Sequence, residues 1–84
     1  MEIHVRLFAS LRDRLPADAR GRATLEMKDG ASLQDLLDRL EIEARLAQMV
    51  LVDGQQAPRD RGKRLRLILV HDQTLSIFPP VAGG

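Results

Sequence analysis

Cysteine, tryptophan and tyrosine are all missing from these 84 residues, and phenylalanine occurs only at Phe8 and Phe78. Without cysteine there is no disulfide, no thiol nucleophile and no thiolate metal site. The same lack suits a cytoplasmic protein, which is the location expected. With two aromatics, stacking platforms for single-stranded nucleic acid are nearly absent. Charge of one sign is not in excess either: 13 Lys and Arg stand against 12 Asp and Glu, and a net charge of +1 demands no nucleic-acid partner. No apolar run approaches the roughly 20 residues that span a bilayer. Met1-Glu2-Ile3-His4 is not the basic segment and long apolar run of a signal peptide. His4 and His71 are isolated, with no ligand spacing to acids, so no metal site is expected. No phosphate-binding glycine loop is present, so no bound cofactor is expected. What remains is one small domain whose 44% hydrophobic residues suffice for a single core.

Periodicity supplies the elements. Ile3, Val5 and Leu7 alternate with His4, Arg6 and Phe8, the period of two of a half-buried strand. Ser10-Leu11-Arg12-Asp13 has capping-box spacing and predicts a helical turn or two, stopped by Pro16. Pro16 to Arg22 is small, polar and charged, a loop, and Ala23, Leu25 and Met27 then mark a second strand. After the Asp29-Gly30 turn, Ser32-Leu33-Gln34-Asp35 repeats the capping signature. Leu33, Leu36, Leu37 and Leu40 follow at the spacing of an amphipathic helix whose stripe faces the core. Residues 43–48 are compatible with a second short helical turn.

Val50-Leu51-Val52 is a short buried strand ending at the Asp53-Gly54 turn, with Gln55 to Ala57 continuing beyond it. Arg59-Asp60-Arg61-Gly62-Lys63-Arg64 is expected as a charged loop. The cations Arg59, Arg61, Lys63, Arg64 and Arg66 read as solvated; docking of an acidic partner, or of RNA phosphate, are the other uses open to them. Leu65 to Val70 is apolar enough to enter the core, as a strand leading into an irregular turn. Thr74 to Phe78 closes the series, Leu75 and Ile77 opposed to Thr74, Ser76 and Phe78. A mixed sheet of four to five strands packed on one main helix makes an α+β domain. It is expected over residues 1–80, with 81–84 as a flexible tail.

That tail carries the chemistry. In Phe78-Pro79-Pro80-Val81-Ala82-Gly83-Gly84 the prolines fix their own φ angles and push the preceding residues towards extended backbone. Gly83 and Gly84 have no Cβ, so such an end can thread a narrow channel and offer its terminal carbonyl carbon to a nucleophile. Phe8 and Phe78 sit on strand faces opposite the aliphatic stripes, so a shared exposed patch that docks partners is expected there.

These residues resemble a known family. Val5-Arg6-Leu7-Phe8-Ala9 with Leu11-Arg12, the helix from Leu33 to Leu40, Val50-Leu51-Val52-Asp53-Gly54 and the run from Thr74 to Gly84 match the ubiquitin-like (β-grasp) sulfur carriers. Within them the chain is similar to the small subunit of molybdopterin synthase and its relative in thiamine biosynthesis, with Phe78-Pro79-Pro80 closer to the molybdopterin branch. One departure is the turn before the last strand, where the family's Asp-Gly-Asp type is replaced by His71-Asp72-Gln73. Without its glycine, a longer or differently shaped turn is expected.

The resemblance implies a carrier, not an enzyme. A ubiquitin-activating-type adenylyltransferase, itself binding ATP and Mg²⁺, would join Gly84 to AMP. A persulfide from a desulfurase or rhodanese-type donor would then leave a thiocarboxylate on Gly84. The large subunit of molybdopterin synthase would present the acceptor, a pterin precursor. Val81, Ala82 and Gly83 form the slim tail; Phe8, Phe78, Pro79, Pro80 and Arg12 are the partner-docking residues implied. Alone the protein is expected to be a monomer. Sulfur delivery for thiamine, cysteine or tRNA thiolation, or isopeptide formation through Gly84 as a protein modifier, would use the same activation.

Overall fold

The computed structural model describes residues 1–81. Strand β1 (Glu2–Leu7) obeys its period of two: Ile3, Val5 and Leu7 are buried while Glu2 and Arg6 are exposed. Its antiparallel neighbour β2 (Arg22–Glu26) turns Ala23 and Leu25 inward and Arg22, Thr24 and Glu26 outward. Helix α1 (Leu33–Arg39) begins as its cap predicts. Ser32 Oγ accepts from Asp35 N–H at 3.1 Å, and Asp35 Oδ2 accepts from Ser32 N–H at 2.9 Å. Leu33, Leu36 and Leu37 are fully buried, and Leu40, the C-cap, is half-buried.

Strand β3 (Met49–Val52) and the two-residue β4 (Gln55–Gln56) are joined by Asp53-Gly54, both with positive φ. That is the two-residue hairpin turn these residue types favour. After helix α2 (Arg61–Arg66), strand β5 (Thr74–Phe78) enters the middle of the sheet, giving the order β2-β1-β5-β3-β4. It runs parallel to β1 and antiparallel to β3. One sheet face and α1 enclose the core, in which Ile3, Val5, Leu7, Val50, Leu75 and Ile77 meet the leucines of α1. Each fully buried aliphatic side chain there stabilises by roughly 1.5–3 kcal/mol.

Four expectations need correction. Ser10 caps nothing: residues Ala9–Arg14 form a 3-10 segment whose N-cap is Phe8, without a side-chain cap, anchored instead by the burial of Leu11. The charged run is not a loop. It forms α2, capped by Asp60, whose Oδ2 accepts from Lys63 N–H at 2.9 Å. Nor are its cations all solvated, since Arg64 is 1% exposed. Its Nε donates to Pro58 O at 2.7 Å and its Nη2 donates to Ala47 O at 3.0 Å. Burial, and secondarily the nearby Arg59, lowers the pKa of this guanidinium below its ordinary value.

The fourth correction concerns Leu65 to Val70, which makes no strand of the sheet. Leu69 enters the core, Leu67 packs at its edge, and Leu65, Ile68 and Val70 stay exposed. An isolated bridge, Ser32 with Ile68, ties this stretch to the start of α1: Leu33 N–H donates to Leu67 O at 2.8 Å and Leu69 N–H to Ala31 O at 2.9 Å. The turn after it is short despite lacking glycine. Gln73 N–H donates to Val70 O at 3.1 Å, and Asp72 takes the left-handed conformation at φ +70°. The side chain of Gln73 returns the bond by accepting from Val70 N–H at 2.8 Å. Residues 43–48 hold one turn, in which Glu43 O accepts from Leu46 and Ala47 N–H.

Candidate functional site

The end of β5 is held on both sides. Ile77 lies in register with Leu7 of β1 and Val50 of β3, and Phe78 faces Met49. Phe8 N–H adds a bond to Ile77 O at 3.2 Å. Pairing then has to stop, because Pro79 and Pro80 carry no N–H to continue a ladder. Pro79 is half-buried, Pro80 is exposed, and Val81 is 82% exposed. The chain therefore leaves the sheet from its central strand, over a rigid base. Ala82, Gly83 and Gly84, on which the tail reading falls, lie outside the described residues.

Above that exit the two phenyl rings meet. Phe8 and Phe78 stack with centroids 4.2 Å apart and an interplanar angle of 11°. They come from β-sheet neighbours, and alternation puts Phe78 on the face opposite the buried Leu75 and Ile77. Phe8 stays 37% exposed. Arg12, exposed on the 3-10 segment, lines the same concavity as Phe8. So the structure brings Phe8, Phe78 and Arg12 to one end of the sheet.

Two residues of this outward face escaped the sequence reading. Met49 lies directly opposite Phe78, and Leu51 opposite Ser76, both half-buried and outside the core cluster. Counting by two from the buried Val50 would have found them. The reading of Val50-Leu51-Val52 as a short buried strand hid that alternation. Among the described residues no group of His, Cys, Asp or Glu is placed to hold a metal ion, and no helix is long and apolar enough to cross a membrane.

A mixed five-stranded sheet closed on one amphipathic helix, with its last strand at the centre and first and last strands parallel, defines the ubiquitin-like, β-grasp class. Solved structures share the fold. The HVO 2177 protein of Haloferax volcanii aligns with TM-score 0.70 and 26% identity over 100% of this chain and 87% of that one. The H. volcanii small archaeal modifier protein 1 gives 0.67 and 21% over 95% and 98%. Subunits 1 and 2 of molybdopterin-converting factor from Helicobacter pylori 26695 were solved as a protein–protein complex, and a chain of it gives 0.60 and 18% over 100% of both. No curated protein matches the sequence. The family model matches nearly the whole chain, residues 5–84, and by that match the chain belongs to the ThiS family, within the ubiquitin-like sulfur carriers that its motifs resemble.

Proposed function

We propose that the protein carries sulfur on Gly84, and that its acceptor pathway is molybdenum cofactor biosynthesis, with this chain as the small subunit of molybdopterin synthase. The observation that carries the proposal is the family match running through the terminal glycines, at the end of a strand clamped in the centre of the sheet. The branch is supported by Phe78-Pro79-Pro80 and by the shared fold of the H. pylori factor, whose second subunit is the kind of partner proposed here.

The chemistry follows from the weakness of a carboxylate as an electrophile. Its negative charge repels nucleophiles and oxide leaves badly. Joining Gly84 to AMP, with ATP and Mg²⁺ held by a ubiquitin-activating-type adenylyltransferase, supplies a good leaving group. The outer sulfur of a persulfide on a desulfurase or rhodanese-type donor displaces AMP to give an acyl disulfide with that donor. A second thiol of the donor or the adenylyltransferase then attacks the donor-side sulfur, taking it into a disulfide and leaving the outer sulfur on Gly84 as a thiocarboxylate. That sulfur is then the nucleophile that the large subunit directs at a pterin precursor. The reacting groups belong to the tip and to partners, and the fold contributes delivery, as in group carriers generally. Gly83 and Gly84 provide access, and the Phe8–Phe78 stack with Pro79, Pro80, Met49 and Leu51 gives the partners their grip.

Substituting Gly83→Val tests the access claim. The variant should fold normally yet release no AMP or pyrophosphate with the cognate adenylyltransferase and MgATP; normal release would refute it. A second reading, conjugation to lysines, has the modifier-protein neighbour in its favour. It requires higher-mass conjugates in cells that vanish when Gly84 is deleted.

A further inference from the structure

The outward face of β1 and β2 sets like charges directly opposite each other, Arg6 facing Arg22 at one end and Glu2 facing Glu26 at the other. Such pairs destabilise an antiparallel ladder; the acidic one is relieved by the Met1 ammonium, 3.1 Å from Glu26 Oε1, whereas the arginine pair has no such partner among the described residues. Two more guanidiniums join the basic end. Arg20 and Gly21 both adopt left-handed backbone, at φ +55° and +75°. Leu7 N–H donates to Gly21 O at 2.7 Å, and a Cβ at Gly21 would lie 2.5 Å from Leu7 O. That close approach folds the loop before β2 onto the end of β1, beneath the side chain of Arg12.

Arg6, Arg12, Arg20 and Arg22 thereby line one concavity of about 210 Å³, with Phe8 in its wall. Among the described residues the arginine ion pairs lie elsewhere, Arg45 with Glu43 and Arg61 with Asp38. Among the described residues no carboxylate lies within 4 Å of the four guanidiniums of the basin, and Asp13 lines the adjoining concavity with Arg12 and Arg20.

We infer that this basin docks an acidic segment of the protein that handles the tail, its Asp or Glu carboxylates pairing with the guanidinium forks. The inference rests on the function proposed above only for the identity of that protein. Continuity argues for it: Phe8 walls the basin and stacks on Phe78, and the chain turns into Pro79-Pro80 at the next residue. A protein that encloses the tail therefore covers the basin too. A nucleic-acid strand fits worse. Extended along the sheet it would run onto Glu2 and Glu26, and the two phenyl rings already spend one face each on each other.

The test is an amide chemical-shift titration of the isotope-labelled full chain with capped hexaglutamate, run beside hexauridylate and inorganic phosphate. Hexaglutamate should move the amides of Arg6, Arg12, Gly21 and Arg22 saturably. The double variant Arg6→Gln/Arg22→Gln should bind it at least about tenfold more weakly, since charge-assisted hydrogen bonds are lost. The control Arg59→Gln/Lys63→Gln removes the same charge elsewhere and should change affinity less than about twofold, distant charges being screened. Silence of the basin amides, equal weakening by both double variants, or tighter binding of hexauridylate or phosphate would each overturn the inference. The titration needs no activation of Gly84. A chain never found sulfurised that still binds hexaglutamate here would sink the proposed function and leave the basin standing.

Discussion

Helix α1 offers the core three leucines, Leu33, Leu36 and Leu37, whereas α2 offers it the guanidinium of Arg64. The first helix is closed by a reciprocal box, Ser32 with Asp35, and the second by the single carboxylate of Asp60. Seven residues at the leucine spacing advertise a helix by themselves. The six residues Arg61–Arg66 include a glycine and four cations, and nothing in them is amphipathic in the usual sense. What ties their helix to the rest of the domain is Arg64, which donates to two backbone carbonyls, Pro58 O and the buried Ala47 O. Burial can thus be organised around hydrogen-bond demand as well as around apolar area.

Substitutions should separate the two modes of anchorage. Leu36→Ala in α1 should cost about 2–5 kcal/mol in urea unfolding, the transfer and cavity penalty of a fully buried leucine. Arg64→Ala should cost about 2–4 kcal/mol, because its two carbonyl partners lose their donor. A change within about 0.5 kcal/mol, the usual range for a surface site, would mean that α2 is held by something else. The caps come next. Ser32→Ala should lower stability by about 1 kcal/mol or slightly more, and Asp60→Ala by somewhat less, since only the first breaks a reciprocal pair. An inverted ranking would count against the capping account. Lys63→Gln and Arg66→Gln, exposed on α2, should leave the midpoint unchanged to about 0.5 kcal/mol each. If they matter as much as Arg64, charge along the helix, and not the buried guanidinium, is what counts.

The same contrast explains what could be read from residues alone. Strands β1 and β5 and helix α1 are legible because each alternates or repeats apolar residues on one face, with Pro79 stopping β5 and the Ser32 cap starting α1. Helix α2 is not, since an arginine in a run of charge carries no mark of burial before Ala47 and Pro58 are brought to it. Exposed Leu65, Ile68 and Val70 mislead in the opposite direction, apolar in composition yet outside the core. At the site, Phe8 and Phe78 follow from alternation, but their 4.2 Å stack requires the parallel pairing of β1 with β5. The four-arginine basin draws on β1, β2 and the loop that Gly21 folds down, and only the register of the sheet assembles it. Asp72 shows a smaller effect of the same kind, keeping a tight turn where the family places glycine.

Among possible measurements, the intact mass of the native protein, purified under non-reducing conditions from cells making the cofactor, bears most squarely on the central idea that the last carbonyl is where sulfur rides. A population in which one oxygen has become sulfur, localised to Gly84 by fragmentation and missing after Gly84 is deleted, is the outcome anticipated. A terminal carboxylate that stays wholly oxygenated while the sulfur-dependent pathway runs would contradict it.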